Sequence, residues 1–258
     1  MKISSHNAPH ILNGRLALVT GAGQGNGRAI AHGLAKAGAR VVVTDIQSEN
    51  VKAVADEIKK DGGAAWAYVL DVSSANACSE LANQISKNHG DVDILVNNAG
   101  IIVREGIDSP NALAVMQKVM DVNFTGTMNV IHAFLPSLRV KGGSIINLAS
   151  IAAFAGQPGS MGYAPSKGAI KLLTQSLAIE LAKDGIRVNA IAPGVIETPM
   201  TIPTRGTPAT IQKFMLRTPL QRVGQAEELV GPVVFLASEM ASYITGVTLP
   251  VDGGFLAT

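Results

Sequence analysis

Hydrophobic and polar positions along the 258-residue chain fall into two alternating kinds of segment. Short runs rich in β-branched residues, such as Arg-Leu-Ala-Leu-Val-Thr at 15–20 and Arg-Val-Val-Val-Thr-Asp at 40–45, end in a polar residue or near a glycine. Longer stretches with apolar positions three or four apart, the helical period, lie between them. The pattern predicts strands over 15–20, 40–45, 64–70, 94–97, 144–148, 187–192 and 248–251, and helices over 27–37, 48–61, 73–89, 116–138, 163–183 and 226–238. Several strands are apolar on both faces, as a buried parallel sheet requires. Strand, helix and strand in repetition mean βαβ units with right-handed crossovers. The expected fold class is α/β, a doubly wound parallel sheet of about seven strands with helices on both faces.

No linker, composition shift or internal repeat divides the chain, so residues 14–258 are expected to form one domain. Residues 1–13 are mostly polar and read as a flexible arm, without the continuous apolar stretch of a secretory signal. Residues 195–221 carry Pro199, Pro203, Pro208 and Pro219. An irregular stretch of that length in a compact domain is expected to be a lid or binding loop.

The first strand runs directly into Thr20-Gly21-Ala22-Gly23-Gln24-Gly25-Asn26-Gly27-Arg28 and then a helix. Glycine brings no Cβ and allows positive φ, so backbone N–H groups and a helix N-terminus can approach an anion closely. Asp45 ends the second strand, 18 residues past Gly27, where a carboxylate can accept from adenosine ribose hydroxyls. This strand, turn and helix form a Rossmann-like pyrophosphate cradle. A 2′-phosphate about 4 Å from Asp45 would cost up to about 4 kcal/mol at an effective dielectric near 20. The expected cofactor is therefore NAD, with Arg28 and Arg40 as the cations able to soften that preference. No Lys-Ser/Thr follows the last glycine, so the turn is not a nucleotide-triphosphatase loop.

Tyr163 and Lys167 stand four apart on one helix face, and Ser150 lies 13 residues earlier at the end of the fifth strand. All three can converge at the carboxyl edge of the sheet, where ligands bind in open α/β folds. In these features the chain resembles the short-chain dehydrogenase/reductase family, in its compact single-domain form, over nearly its whole length. The family's glycine pattern falls on Thr20, Gly21, Gly25 and Gly27, its adenine-side acid on Asp71, and its segment after the fourth strand on Asn97, Asn98, Ala99 and Gly100. Asn26 departs from the pattern, which usually carries an aliphatic residue there.

The resemblance implies a catalytic set of Asn123, Ser150, Tyr163 and Lys167. It implies a cofactor site of Gly21, Gln24, Gly25, Asn26, Gly27, Asp45, Ile46, Asp71, Val72, Asn98, Ala99, Gly100, Tyr163, Lys167, Pro193, Gly194, Val195, Ile196 and Thr198. Substrate is expected against Ser150, Ala152, Gln157, Tyr163, Gly194 and Met200. A free tyrosine titrates near 10, and bringing it towards neutrality takes about 4 kcal/mol of differential stabilisation. An ammonium of Lys167 held about 4 Å away is the expected source. Tyr163 would then serve as general acid/base, Ser150 would donate to the substrate oxygen, and Asn123 would hold a water for proton relay.

The activity so implied interconverts a small or medium secondary alcohol, polyols and cyclic alcohols included, and its ketone. A 3-oxoacyl thioester reductase is the nearest alternative, and a non-catalytic dinucleotide-binding sensor or scaffold is the alternative of another class. Arg104, Arg205 and Arg217 are candidates to meet an anionic substrate. With Lys+Arg 21 against Asp+Glu 19 and only 4% aromatic residues, nucleic acid is not an expected partner. A lone Cys78 fits a reducing, cytoplasmic setting. The five histidines are scattered, so no metal set is expected. The uncharged stretch 142–166 is too rich in Gly, Pro and Asn to span a membrane. Relatives commonly assemble as tetramers, which the resemblance implies here.

Overall fold

In the computed structural model, which describes residues 10–157 and 159–258, seven parallel strands form one sheet in the order β3-β2-β1-β4-β5-β6-β7. The strands are β1 Leu16–Thr20, β2 Arg40–Asp45, β3 Ala65–Val69, β4 Ile94–Asn97, β5 Ser144–Leu148, β6 Arg187–Pro193 and β7 Thr248–Val251. Helices α1 Gly25–Lys36, α2 Ser48–Lys60, α3 Ala75–His89, α4 Ala112–Met120, α5 Gly126–Arg139 and α6 Tyr163–Leu181 connect the first six. Helices α7 Ile202–Arg205, α8 Pro208–Met215 and α9 Val230–Ala237 lie between β6 and β7. The order reverses between β1 and β4, which opens a crevice at their carboxyl ends.

Alternate residues of the same strand feed two cores. Ala17 and Val19 of β1 pack with Ile30 and Leu34 of α1 and with Val233 and Leu236 of α9. Leu16 and Leu18 pack with Leu81 and Ile85 of α3 and with Phe134 and Leu138 of α5. Because both faces are covered, the strands are apolar throughout rather than alternating. No helix of the described residues is long and apolar enough to cross a membrane.

Three sequence expectations change. Residues 1–9 of the expected arm lie outside the described residues, but the arm does not extend to residue 13: Leu12 is buried, and its N–H donates to Ala37 O at 2.9 Å. The helix expected over 116–138 starts earlier and is drawn through a π-helical turn at Asp121–Thr125 between α4 and α5. The stretch 195–221 is not irregular throughout, since its prolines sit in the first turns of helical segments: Pro203 is the second residue of α7 and Pro208 the first of α8. There a missing N–H costs nothing and the fixed φ suits the helix.

Gly33 of α1 faces α9 so closely that an added Cβ would fall 2.1 Å from Val230 Cγ1. Alanine gains about 1 kcal/mol of helix propensity over glycine, while overpacking a core costs about 1–3 kcal/mol. Gly33→Ala is therefore expected to destabilise the protein in urea unfolding, and adding Val230→Ala should recover most of the loss. A stabilised single variant would show that α1 and α9 do not meet at this contact.

Candidate active site

At the crevice the glycine-rich turn is held from both sides. The Asn98 amide donates from Nδ2 to Thr20 O at 2.9 Å and to Gly21 O at 2.8 Å. Thr20 Oγ1 accepts from the backbone N–H of Asn98 and of Ala99, each at 3.0 Å. Gly21 has φ +61, and a Cβ on it would lie 2.8 Å from Ala99 Cα. A Cβ on Gly27 would fall 2.2 Å from Gly21 O and 2.4 Å from Asn98 Nδ2. Only glycine fits either place, and α1 is thereby drawn against β4. No side chain caps α1 at Gln24, and its first turn holds no acid. Its leading N–H groups are thus left for an anion.

A cleft of about 370 Å³ opens over this turn. It is lined by Gly21, Gln24, Gly25, Asn26, Asp45, Ile46, Asp71, Val72, Asn98, Ala99, Gly100, Tyr163, Lys167, Pro193, Gly194, Ile196 and Thr198 of the expected cofactor set, together with Ser150 and Met200. Gln47, Leu70, Ile101, Val122, Leu148, Ala149, Pro199 and Thr201 complete it. Those additions are mostly chain neighbours of the expected residues, a signal that strand ends alone could have supplied.

Five expected residues do not line it. Gly27 serves the packing just described. Val195 lies at an adjoining hollow, where its carbonyl accepts from Gly224 N at 3.0 Å. Ala152 is buried, its N–H donating to Ser150 Oγ at 3.1 Å. Gln157 is half-buried beyond that turn. Asn123 is 1% exposed. Its Oδ1 accepts from Ile101 N at 2.8 Å, and its Nδ2 donates to Ile101 O and Ser166 Oγ, each at 3.0 Å. Through these bonds the side chain fastens the loop after β4 to α6.

Tyr163 and Lys167 share the cleft, as expected. Lys167 Nζ donates to Leu148 O at 2.6 Å and stands 5.7 Å from the Tyr163 ring centre. Burial pushes the Tyr163 phenol up, and the Ser150 hydroxyl and then the Arg104 charge hold it back in part. Burial pushes the Lys167 ammonium down from its ordinary 10.5 to about 8. Ser150 and Arg104 thus join Lys167 as neighbours that bear on the phenol.

Of the three candidate arginines, two are engaged elsewhere. Arg205 bonds Glu197 Oε1 at 3.0 Å, Thr198 O at 3.3 Å and Thr201 Oγ1 at 3.1 Å. Arg217 lies over the Phe255 ring and reaches Thr258 O. Arg104, on the loop after β4, donates to Thr204 Oγ1 of α7 at 2.6 Å and acts electrically on Tyr163.

A family model described as Enoyl-(Acyl carrier protein) reductase matches residues 21–256. A short-chain type dehydrogenase/reductase from Mycobacterium marinum has the same fold, with a TM-score of 0.90 at 35% identity over 96% of this chain and 97% of that one. This chain belongs to the short-chain dehydrogenase/reductase family. Within that oxidoreductase family it is similar to the 3-oxoacyl-[acyl-carrier-protein] reductase FabG of Aquifex aeolicus, at 40% identity over 94% of this chain and 98% of the relative. It is also similar to a gluconate 5-dehydrogenase from Burkholderia cenocepacia solved with NADP and tartrate, with a TM-score of 0.91 at 36% identity over 96% and 97% of the two chains. A nicotinamide dinucleotide is thus the cofactor class of this short-chain dehydrogenase/reductase, and the glycine cradle and uncapped α1 fit it.

The lowered proton affinity of Lys167 has a measurable consequence. Between about 8 and 10.5 the unfolded chain holds a proton on this residue that the native one has released, so unfolding becomes harder as pH rises through that window. Relative to Lys167→Met, the unaltered protein should gain about 3 kcal/mol across it in urea titrations. A constant difference would place Nζ in water.

Proposed function

We propose that this oxidoreductase interconverts the secondary alcohol of a hydroxy acid and its ketone, using NAD(H), with Tyr163 as general acid/base. The bound nicotinamide would exchange the hydride with the carbinol carbon. Tyr163, protonated at neutral pH because burial outweighs its two tempering neighbours, gives its proton to the ketone oxygen as the hydride arrives. Alcohol oxidation needs the phenolate instead and gains as pH rises. Ser150 donates to the same oxygen. Lys167 holds the cleft floor through Leu148 O and is placed to bind the nicotinamide ribose. Asn123 acts as a positioning residue.

The observation that carries the substrate class is Arg104. Its guanidinium is exposed, bridges the β4 loop to the lid and reaches Tyr163 electrically. A carboxylate on the substrate would complete it, as planar forks bind carboxylates in two places. The Burkholderia relative solved with tartrate, a hydroxy acid, supports the same class. Arg104→Gln should raise KM for an aldonate or other hydroxy acid about ten- to hundredfold, the scale of a charge-assisted hydrogen bond, and leave the KM of a neutral polyol unchanged while kcat shifts alike for both through Tyr163. Equal rises in KM on both substrates would remove the carboxylate from this role.

The NAD preference rests on Asp45. Its carboxylate lines the cleft, accepting from Gly23 N and Gln47 N at 3.1 Å each. The two cations that might have met a 2′-phosphate are engaged: Arg28 pairs with Glu57 at 2.8 Å, and Arg40 donates to His89 O at 3.1 Å. Initial rates should favour NADH over NADPH by at least about tenfold, given the repulsion of up to about 4 kcal/mol at Asp45, and Asp45→Asn should narrow the ratio. A tenfold preference for NADPH would overturn this. A 3-oxoacyl thioester reductase is the second reading, favoured by the Aquifex relative and by the exposed Met200 and Ile202 at the lid. Faster turnover of an acetoacetyl thioester with NADPH than of any hydroxy acid would establish it.

A further inference from the structure

Helix α8 belongs to the lid, and none of its eight residues is buried. A helix that short with no core of its own does not hold its place unaided. Behind its end opens a hollow of about 530 Å³, lined by Met215, Thr218 and Leu220 on the lid side and by Asp252, Gly253 and Gly254 on the other. What reaches the lid across that hollow is the segment after β7. Asp252 turns this segment back, its Oδ1 accepting from Gly254 N and its Oδ2 from Leu256 N, each at 2.9 Å. Leu220 N donates to Gly253 O at 3.1 Å. The ring of Phe255, 5% exposed, stands 5.9 Å from that of Phe214 near the end of α8. The Arg217 guanidinium lies 4.2 Å from the centre of the Phe255 ring. Arg217 Nη2 donates to Thr258 O at 3.3 Å, and Thr258 Oγ1 donates back to Arg217 O at 3.1 Å. The base of the segment is tied to the cleft, since Gly194, which lines it, donates from its N–H to Val251 O at 3.0 Å. At its other end the lid sets Met200 and Thr201 into the cleft wall.

We propose that Phe255 and Arg217 are positioning residues for the substrate: residues 252–258 clasp the end of α8 and thereby hold the lid over the cleft. This rests on reading 195–221 as the lid of an oxidoreductase cleft. The clasp lies away from the glycine turn, so it acts on substrate and leaves the dinucleotide alone. Arg217, exposed on its outer side, covers the ring that Phe255 lays against Phe214, and the cation and the two rings make one stack.

The test compares the unaltered protein with Phe255→Ala, Arg217→Gln and Arg217→Lys. Amide hydrogen exchange is followed over residues 199–217, NADH binding by fluorescence titration, and initial rates with gluconate and with an acetoacetyl thioester. Arg217→Gln should speed exchange in α8 and raise KM about two- to fivefold, the scale of an exposed cation–π contact. Phe255→Ala, which removes the whole stack, should do so about tenfold. In both, kcat and the Kd for NADH should stay within about twofold, since only substrate positioning is lost. Arg217→Lys keeps a cation over the ring and should restore most of the effect. Should Phe255→Ala fail to fold, the exposed Arg217 pair decides alone. Unchanged exchange over 199–217 in Arg217→Gln would overturn the clasp, and faster exchange with unchanged KM would overturn its positioning role. A parallel loss of NADH binding and kcat would mark a merely structural contact and overturn the proposal too. Turnover of neither substrate by the unaltered protein would count against the proposed function instead, while exchange would still decide the clasp.

Discussion

The site depends on one amide. Asn98 Nδ2 sits between the carbonyls of Thr20, the last residue of β1, and Gly21 just beyond it. Satisfying them from β4 pulls the two strand ends together where the order reverses. The same closeness leaves no room for a Cβ on Gly27. The N-terminus of α1 therefore points into the crevice rather than out to solvent. Two hydrogen bonds and the absence of one methyl group thus place the helix end that an anion needs. Asp45, at the end of the neighbouring β2, completes the cradle on its other side by accepting from Gly23 N.

Across the crevice the electrostatics run against a simple ion-pair picture. A lysine buried in the cleft has its charge penalised by lost hydration, which no nearby carboxylate repays, and its strongest partner is a neutral carbonyl, Leu148 O. The phenol beside it is likewise biased towards its uncharged form. Arg104 supplies the fixed positive charge from outside the pocket, where hydration makes it cheap to hold.

The fold was legible because a sheet covered on both faces writes its strands as continuous apolar runs, and because the helices between them keep their period. Gly21, Asp45, Ser150, Tyr163 and Lys167 were legible because each sits at a strand end or one helical turn from another. Other features were not written locally. The bond from Arg104 to Thr204 joins residues 100 apart. Leu12 packs into the core beside α1, with its N–H bonded to Ala37 25 residues on. The engagement of Asn123 follows from a loop conformation that no spacing encodes. The prolines of 195–221 read as breakers, since sequence alone does not distinguish a proline that ends a helix from one that begins it.

On the proposed reading, substrate selection follows from where that unwritten contact lies. Arg104 is on the loop after β4, and Thr204 rides on the short helix α7, so the bond between them ties that loop to the helix. Thr204 is buried, and its hydroxyl accepts only if Arg104 stays in place. On the proposed reading, a carboxylate that meets the guanidinium offsets its charge and adds a second hold on the loop that carries it. A neutral alcohol engages neither. Discrimination between acid and neutral substrates then falls chiefly on binding, since the groups nearest the reacting carbon, Ser150 and Tyr163, are the same for both.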